Sequence, residues 1–454
     1  MSLLKTFLEL RGQSSVVQDS FRRELITEAT LPMSFAVMEG GFIGVIADKL
    51  YQVSPWVIAV ITAAPMFSNL SSFLWAKLIK GRPKVPVIVI IQYLVLFFTG
   101  IVAFAPSGDE GVVLIVSAVI IVRLLMTGQI TARSLVWSLN YGRSVRARIA
   151  GRLIIINNLT MLIVVGLGSL ALDANAEAFR WLFCAAALIG LVGVRSFTGI
   201  QVIDEDKQLA LENNEDQEGQ GTNLWFILWQ DRDFARYQLY QFLAGTSNMM
   251  LEAPLIYLVS NQLGASYTLS IAITVVTPFL VTMLTLPVWA RYLDNNHVTH
   301  FRARQSGLWV LYQLIVFLGA FSASLLLLGL GRFILGIARG GGSLAWNLGH
   351  NDFASQKLLA AYMGAHVTLT GIRGAIAPFV GILLYLGWSD VVFLPDFEGI
   401  GVGIFLVAAC FSTLSWWGYR GMGRALTASQ SAPVETEPAP DVVESTASEK
   451  EKKL

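Results

Sequence analysis

Charge is scarce in this chain. Asp, Glu, Lys and Arg make up 14% of the 454 residues, against 54% hydrophobic residues, and the mean hydropathy is +0.60. A water-soluble domain carries roughly 25% charge, so a soluble globular fold is excluded. The 32 basic and 31 acidic residues nearly cancel, leaving +1, and no overall field draws the chain to nucleic acid. Cysteine is nearly absent. Cys184 and Cys410 both fall inside apolar runs, which excludes a disulfide framework and a zinc site and leaves them as packing or lipid-facing residues. A Gly-Lys-Ser/Thr phosphate loop is missing, so ATP hydrolysis within this chain is not expected. No nucleophile–base pair stands out either, and the chain is not expected to be an enzyme or to hold a cofactor. A cleavable leader is not expected either. Residues 1–28 mix Lys5, Arg11, Arg22 and Arg23 with Glu9, Asp19, Glu24 and Glu28, without a continuous apolar core. Leu3, Leu4, Phe7, Leu8 and Leu10 read either as one face of a short helix lying on a membrane or as part of a cytoplasmic lead-in.

What is abundant is apolar runs of membrane length. A helix needs roughly 20 mostly apolar residues to cross a bilayer, because lipid satisfies no backbone polar group. Twelve runs fit: 29–48, 55–78, 85–106, 111–134, 151–172, 177–199, 236–260, 266–291, 305–323, 325–346, 362–387 and 399–419. They divide six and six around a polar gap, "DEDKQLALENNEDQEGQG", which reads as a flexible or locally helical linker. The expected plan is therefore a lead-in (1–28), a first six-helix bundle (29–199), an acidic linker (200–235), a second six-helix bundle (236–420) and a disordered tail (421–454). Basic residues gather in alternate loops: Lys77, Lys80, Arg82 and Lys84; Arg143, Arg146, Arg148 and Arg152; Arg291, Arg302 and Arg304; Arg420 and Arg424. The loops between them hold Asp109, Glu110, Asp390, Asp396 and Glu398. Lys49 and Arg180 alone break the pattern. Basic loops stay cytoplasmic, so both termini are expected in the cytoplasm.

The sequence also repeats itself. "MEGGFIGVIADKLYQVSPWVIAVITAAPMF" around Glu39 matches "LEAPLIYLVSNQLGASYTLSIAITVVTPFL" around Glu252 at a constant spacing of 213. That register pairs Glu39 with Glu252, Ile43 with Ile256, Leu50 with Leu263, Ile58 with Ile271, Ala59 with Ala272 and Pro65 with Pro278. At a spacing of 209, Arg123 matches Arg332 and "SLVWSL" matches "SLAWNL". Two related membrane halves with matched charges at membrane depth are the pattern of a secondary transporter.

With these features the chain resembles the major facilitator superfamily over about residues 29–420. The resemblance rests on the twelve runs, the 6+6 split, the long middle loop and the two similar halves. It implies an all-α membrane protein with twelve transmembrane helices in two pseudo-symmetric six-helix bundles, whose helices 1, 4, 7 and 10 line a central cavity. The family's loop signature between helices 2 and 3 is only partly kept. "LWAKLIKGRPK" has Gly81 and Arg82, but Leu78 stands where the acid belongs, and "VWARYLDNNH" keeps Asp294 without the Gly-Arg. "GIRGAIAPFVG" looks like the Gly-Pro-rich stretch that drug–proton antiporters of the family carry in helix 5, yet it lies in helix 11, and helix 5 has no proline.

Buried ionisable groups need a partner or water. Glu39 and Glu252, on helices 1 and 7, and Arg123 and Arg332, on helices 4 and 10, are the candidates for proton coupling or substrate binding; the bland reading is a static brace between helices. Asn157, Asn158 and Thr160 on helix 5, and His366, Thr370 and Arg373 on helix 11, are weaker candidates for the substrate cavity. Trp137 and Trp346 lie 14 residues after their arginines, about four turns, which suits either an interfacial anchor or a cytoplasmic gate. Gly336, Gly340, Gly341 and Gly342 permit bending or close packing of helix 10. His350, Asp352 and His366 come nearest to a metal set, but the first two read as loop residues and no metal is expected. The function these features point to is secondary transport of a small polar or charged solute across the cell membrane by alternating access, coupled to protons. A proton-driven exporter of amphipathic compounds and a non-transporting scaffold of the same fold are the alternatives. The expected partners are a small-molecule solute, the lipid bilayer and protons, with no nucleic acid, and the chain is expected to work as a monomer.

Overall fold

The computed structural model describes residue 10 and residues 13–214, 224–354, 359–389 and 395–431. Of the expected disordered tail, residues 421–431 are helical, continuing the last helix, Ile404–Ser431; the rest of it and the Leu3–Leu8 face lie outside the described residues. Every run expected to span is helical. In chain order the helices are α1 (Ser15–Thr30), α2 (Pro32–Val37), α3 (Gly40–Tyr51), α4 (Pro55–Ser68), α5 (Ser72–Ile79), α6 (Lys84–Val102), α7 (Asp109–Asn140), α8 (Arg143–Ala174) and α9 (Ala178–Phe197). The linker gives α10 (Glu205–Asn214) and α11 (Leu224–Gln230). Then follow α12 (Arg232–Tyr257), α13 (Tyr267–Ile271), α14 (Thr277–Asp294), α15 (Val298–Phe321), α16 (Leu325–Leu348), α17 (Leu359–Leu386) and α18 (Ile404–Ser431). Among the described residues, ten helical stretches are long and apolar enough to cross a membrane. The expected second run forms a shorter apolar helix, Pro55–Ser71, continued by α5.

Local chemistry sets the ends. Pro32 and Pro55 open α2 and α4, where a missing backbone N–H costs nothing. The Asp231 carboxylate accepts from Phe234 N at 2.8 Å at the start of α12, and Ser266 and Ser324 cap α13 and α16 in the same way. Gln52, left-handed at φ 49°, ends α3.

The outer surface is apolar. Phe97, Leu167, Trp181, Phe321, Leu326 and Trp417 are each more than half exposed, as side chains facing lipid must be and side chains facing water are not. The contiguous core runs from Leu31 to Ala408 and draws on both halves of the chain. Between the halves, α4 packs on α12 and α17, α8 packs on α13 and α14, and α3 packs on α12 and α13.

Two irregularities matter for the site. The first run is not a uniform helix centred on Glu39. It begins at Ser15, well inside the expected lead-in, and it breaks between Val37 and Gly40, with Glu39 in extended backbone. Gly40 and Gly41 follow the break. A Cβ on Gly41 would lie 2.4 Å from Val275 Cγ2, so glycine there lets the start of α3 touch the opposite half. In the second half α12 passes through Glu252 unbroken, and the irregularity falls instead on a π-turn at Ala272–Val276. The four glycines of α16 serve close packing. Cβ atoms on Gly336, Gly340, Gly341 and Gly342 would lie 2.6 Å from Val281, 2.7 Å from Thr285, 2.9 Å from Trp289 and 3.1 Å from Trp309.

Candidate functional site

The matched charges meet. Arg123 on α7 donates to the Glu39 carboxylate at 3.0 Å and to the Met38 carbonyl at 2.7 Å. Arg332 on α16 donates to both Glu252 oxygens, at 3.3 and 3.2 Å, and to the Ile273 and Thr274 carbonyls at 3.2 and 2.6 Å. In each half the guanidinium holds one carboxylate together with backbone carbonyls that a helix irregularity has freed: the break at Met38–Glu39 and the π-turn at 272–276. An unpaired carbonyl at this depth is costly, so break and arginine stabilise each other. The arginines are the buried partners. Arg123 and Arg332 side chains are 9% and 2% exposed, while Glu39 and Glu252 are 32% and 22% exposed. The acids therefore front a space and the bases stand behind them.

That space is a cavity of about 240 Å³ lined by Glu39, Arg123, Glu252, Arg332 and Arg339, with Thr62, Met66, Asn248 and Thr274 beside them. The helices expected to line it do so, joined by α4, the π-turn region and α17. A second cavity of about 370 Å³ shares Met66, Asn248, Met249 and Arg339 with the first, so the two adjoin. Its other walls include Gln241, Arg302, Trp309, Trp346, Thr370 and Arg373.

The weaker candidates separate. Thr370, Arg373 and Trp346 line the second cavity, and the Trp346 indole donates to Thr370 Oγ1 at 3.3 Å. His366 is buried behind Trp346, its Nδ1 3.1 Å from Gln238 Oε1. Asn158 is half-buried. Asn157, Thr160 and Trp137 serve a different cluster, which the sequence reading did not foresee. Glu24 and Glu28 on α1 are buried and share Arg133 of α7; Arg133 donates to Glu24 at 2.7 Å and also pairs with Glu28. The Trp137 indole donates to Glu24 at 2.6 Å, Tyr141 Oη to Glu24 at 2.7 Å, Asn157 to Glu28 at 2.6 Å and Thr160 to the Glu28 carbonyl at 3.2 Å. These acids were placed in the lead-in because the apolar run begins only at residue 29. The helix reaches back to Ser15 and carries them into the bundle, where the Trp137 indole is tied to Glu24. Among the described residues no three His, Cys, Asp or Glu side chains group as metal ligands. Asp352 instead accepts from Val298 N at 2.7 Å.

One end of the molecule, that of the acidic loops, is closed by contacts between the halves. Ser260 donates its hydroxyl to Asp48; Lys49 Nζ donates to the Ser260 carbonyl at 2.9 Å and lies 5.5 Å from the Tyr267 ring centre. Asp173 accepts from the Tyr267 and Thr268 amides at 2.7 and 3.0 Å, at the N-terminus of α13, where an anion is favoured. Lys49, one of the two basic residues out of place in the loop pattern, thus has a structural task. So has Arg180, which donates to the Ala103 and Ala105 carbonyls, both at 2.9 Å.

No protein-family model matches the sequence, and no curated protein is similar to it. Solved structures are similar in shape. A variant of the nucleoside transporter NupG superposes with a TM-score of 0.69 at 12% identity, over 89% of this chain and 99% of that one. A variant of the peptide transporter POT gives 0.66 at 12% identity, over 89% and 94%. A D-xylose–proton symporter gives 0.63 at 11%, over 89% and 96%. The chain has the major facilitator fold. With ten membrane-length helices among the described residues, it is a multi-pass membrane protein.

Within this fold, sequence reasoning missed Asp48, Asp173 and Ser260 at the closed end, and Arg302, Arg339 and Asn248 around the cavities. Arg302 had a visible signal, but it was counted among the basic loop charges. Arg339 stood in the glycine run of α16 and was passed over.

The linker also binds the loop between the second and third runs. Glu212 of α10 accepts from Lys84 Nζ at 2.6 Å and from Gly81 N at 2.8 Å, and Glu205 accepts from Lys84 N at 2.7 Å. Burial works to raise the Glu212 pKa, but hydrogen bonds from Lys84, Gly81 and Gln208 outweigh it and hold the carboxyl below its ordinary value. An acid absent from this loop is met by one from the linker.

Proposed function

We propose that this protein is a secondary active transporter of a small polar or charged solute, working by alternating access and coupled to protons. The proposal includes twelve spans in two pseudo-symmetric six-helix bundles (29–199 and 236–420), an acidic cytoplasmic linker and a site in the cell membrane with both termini in the cytoplasm. The observation that carries it is the pair of ion pairs, Glu39–Arg123 and Glu252–Arg332, whose carboxylates front one internal cavity. An acid held by one arginine switches its proton affinity when that arginine moves, which is what coupling requires. The similar structures are those of a nucleoside transporter, a peptide transporter and a sugar–proton symporter, and the fold agrees with that class. The contacts of Asp48, Lys49 and Asp173 close the side assigned to the exterior, so this conformation is read as the one that serves the cytoplasm.

The test is transport by purified protein in liposomes. A thermal-shift screen against metabolites finds a ligand, which is then loaded and driven by an imposed pH gradient. Glu39→Gln and Glu252→Gln should lose gradient-driven accumulation and keep counterflow exchange, because exchange needs binding but no net proton release. Unchanged pH dependence in both variants would reduce the ion pairs to braces.

A further inference from the structure

The larger cavity has a one-sided charge. Arg302 of α15, Arg339 of α16 and Arg373 of α17 line it, and among the described residues its lining contains no Asp or Glu. The Arg302 and Arg373 residues are each 4% exposed. Neither is satisfied. Among the described residues Arg302 donates once, to Gln305 Oε1 at 3.3 Å, and its Nε and second terminal nitrogen have no partner. Arg373 donates to the Gln241 carbonyl, and its Nε has no partner. Gly245 makes room for this guanidinium: a Cβ there would lie 2.1 Å from Arg373 Cζ. Arg339, which lines both cavities, has no hydrogen bond or ion pair among the described residues. The smaller cavity does not offset this, because its two carboxylates are each matched by an arginine of their own.

Buried guanidinium nitrogens without acceptors are costly, and water, an ion or a ligand that enters the cavity supplies the acceptors. Three cations converging on one space, with no acid among its walls, favour negative charge there. The planar fork of arginine fits a carboxylate or a phosphate with two parallel bonds. The remaining walls set the rest of the ligand. Met66, Met249, Trp309 and Trp346 are apolar or aromatic, and about 370 Å³ is the size of a small-molecule site. We infer that the solute of this protein is a small organic anion, its acidic head bound by Arg302, Arg373 and Arg339 and its apolar body lying against the two tryptophans. This inference rests on the transport reading for its meaning, but the binding it asserts can be measured alone.

The experiment compares head groups on one ring. Benzoate, phenyl phosphate, benzamide and benzylammonium are titrated at equal ionic strength against the full chain in detergent, and the melting temperature is followed. Benzoate, phenyl phosphate or both should raise it in a saturable way, and benzamide and benzylammonium should not; the better of the two anions identifies carboxylate or phosphate as the preferred head. Arg373→Gln and Arg302→Gln should each weaken anion binding about tenfold or more, the scale of one charge-assisted hydrogen bond. Gly245→Ala keeps every charge but displaces the Arg373 guanidinium, and it should weaken binding too. Since either arginine variant can fail to fold, the head-group comparison on the unmodified protein stands by itself. Equal or tighter binding of the amide or the amine overturns the inference, as does failure of both anions to bind, or undiminished anion binding in folded arginine variants. The transport reading fails separately: anions that bind but are not exchanged across proteoliposomes leave the site standing and remove the transporter, whereas exchange of benzylammonium does the reverse.

Discussion

At the scale of single residues, the two ion pairs are alike in partners and unlike in support. Arg332 satisfies one carboxylate and two carbonyls and is almost fully enclosed, whereas Arg123 satisfies one carboxylate and one carbonyl. Removing one member of a buried pair costs about 3–5 kcal/mol when the other is left uncompensated. The cost is lower where the abandoned carboxylate reaches cavity water, as Glu39 does at 32% exposure. Arg332→Ala is therefore expected to destabilise more than Arg123→Ala, measured as the loss of melting temperature in one detergent. An equal or reversed order would show that the carbonyl contacts carry little. Of the candidate residues, these four were legible in the sequence because the chain carries two copies of them. Asn157 and Thr160 hydrogen-bond to Glu28, a contact hidden from the sequence for a physical reason: hydropathy marks where lipid contact begins, while the α1 helix continues past that point and buries Glu24 and Glu28 against protein.

Among elements, helix packing and the linker make separate predictions. Gly336 sits where α16 presses on the start of α14, with a would-be Cβ 2.6 Å from Val281 and 2.9 Å from the Pro278 carbonyl. Backbone cannot yield as a flexible side chain does. Gly336→Val should cost roughly 1–3 kcal/mol through overpacking, read as a lower melting temperature, and unchanged stability would show that the two helices separate freely. The α10 latch is pH-dependent. The folded Glu212 pKa lies below its ordinary value, so the latch contributes in full above the unfolded pKa and is lost as pH falls through the lower folded value. Hydrogen exchange of residues 205–214 should thus be protected at neutral pH and speed up in acid, after correction for intrinsic rates. Glu212→Gln should show the unprotected rate already at neutral pH; protection indifferent to both changes would mean that α10 is held by something else. The α10 helix itself was half legible, as a locally helical linker, but its docking was not, since the sequence gives no distance between residues 84 and 212.

At the level of the whole molecule, the contacts that close the acidic-loop end all cross between the halves. Asp48 and Lys49 reach Ser260, and Asp173 caps α13. Replacing Asp48 by Asn and Lys49 by Ala together removes the charged part of this closure. Spin labels at Gln52 and Leu263 should then show a longer distance population than in the parent protein. A distribution that does not move would place the closing energy in apolar packing. Reporters fused at Asp109 or Glu398 should read exterior and one at Gln208 cytoplasmic, from the Lys/Arg asymmetry; a cytoplasmic signal at either of the first two would break the twelve-span arrangement.

The sequence by itself determined that the chain lives in a membrane and which of its runs are helical, though not where the first helix begins or breaks, because lipid forces every backbone polar group into a helix and makes each intramembrane charge conspicuous. It also determined which four charges to watch, through the internal repeat. Tertiary structure decided the rest. Only the fold could show that Arg123 and Arg332 complete carbonyls freed by a helix break in one half and a π-turn in the other. Only the fold could turn Lys49 from an exception in a charge pattern into part of a closure. And Arg302, Arg339 and Arg373, which stand on three different helices, became one cationic cavity through the packing of those helices, a proximity in space that sequence spacing does not encode.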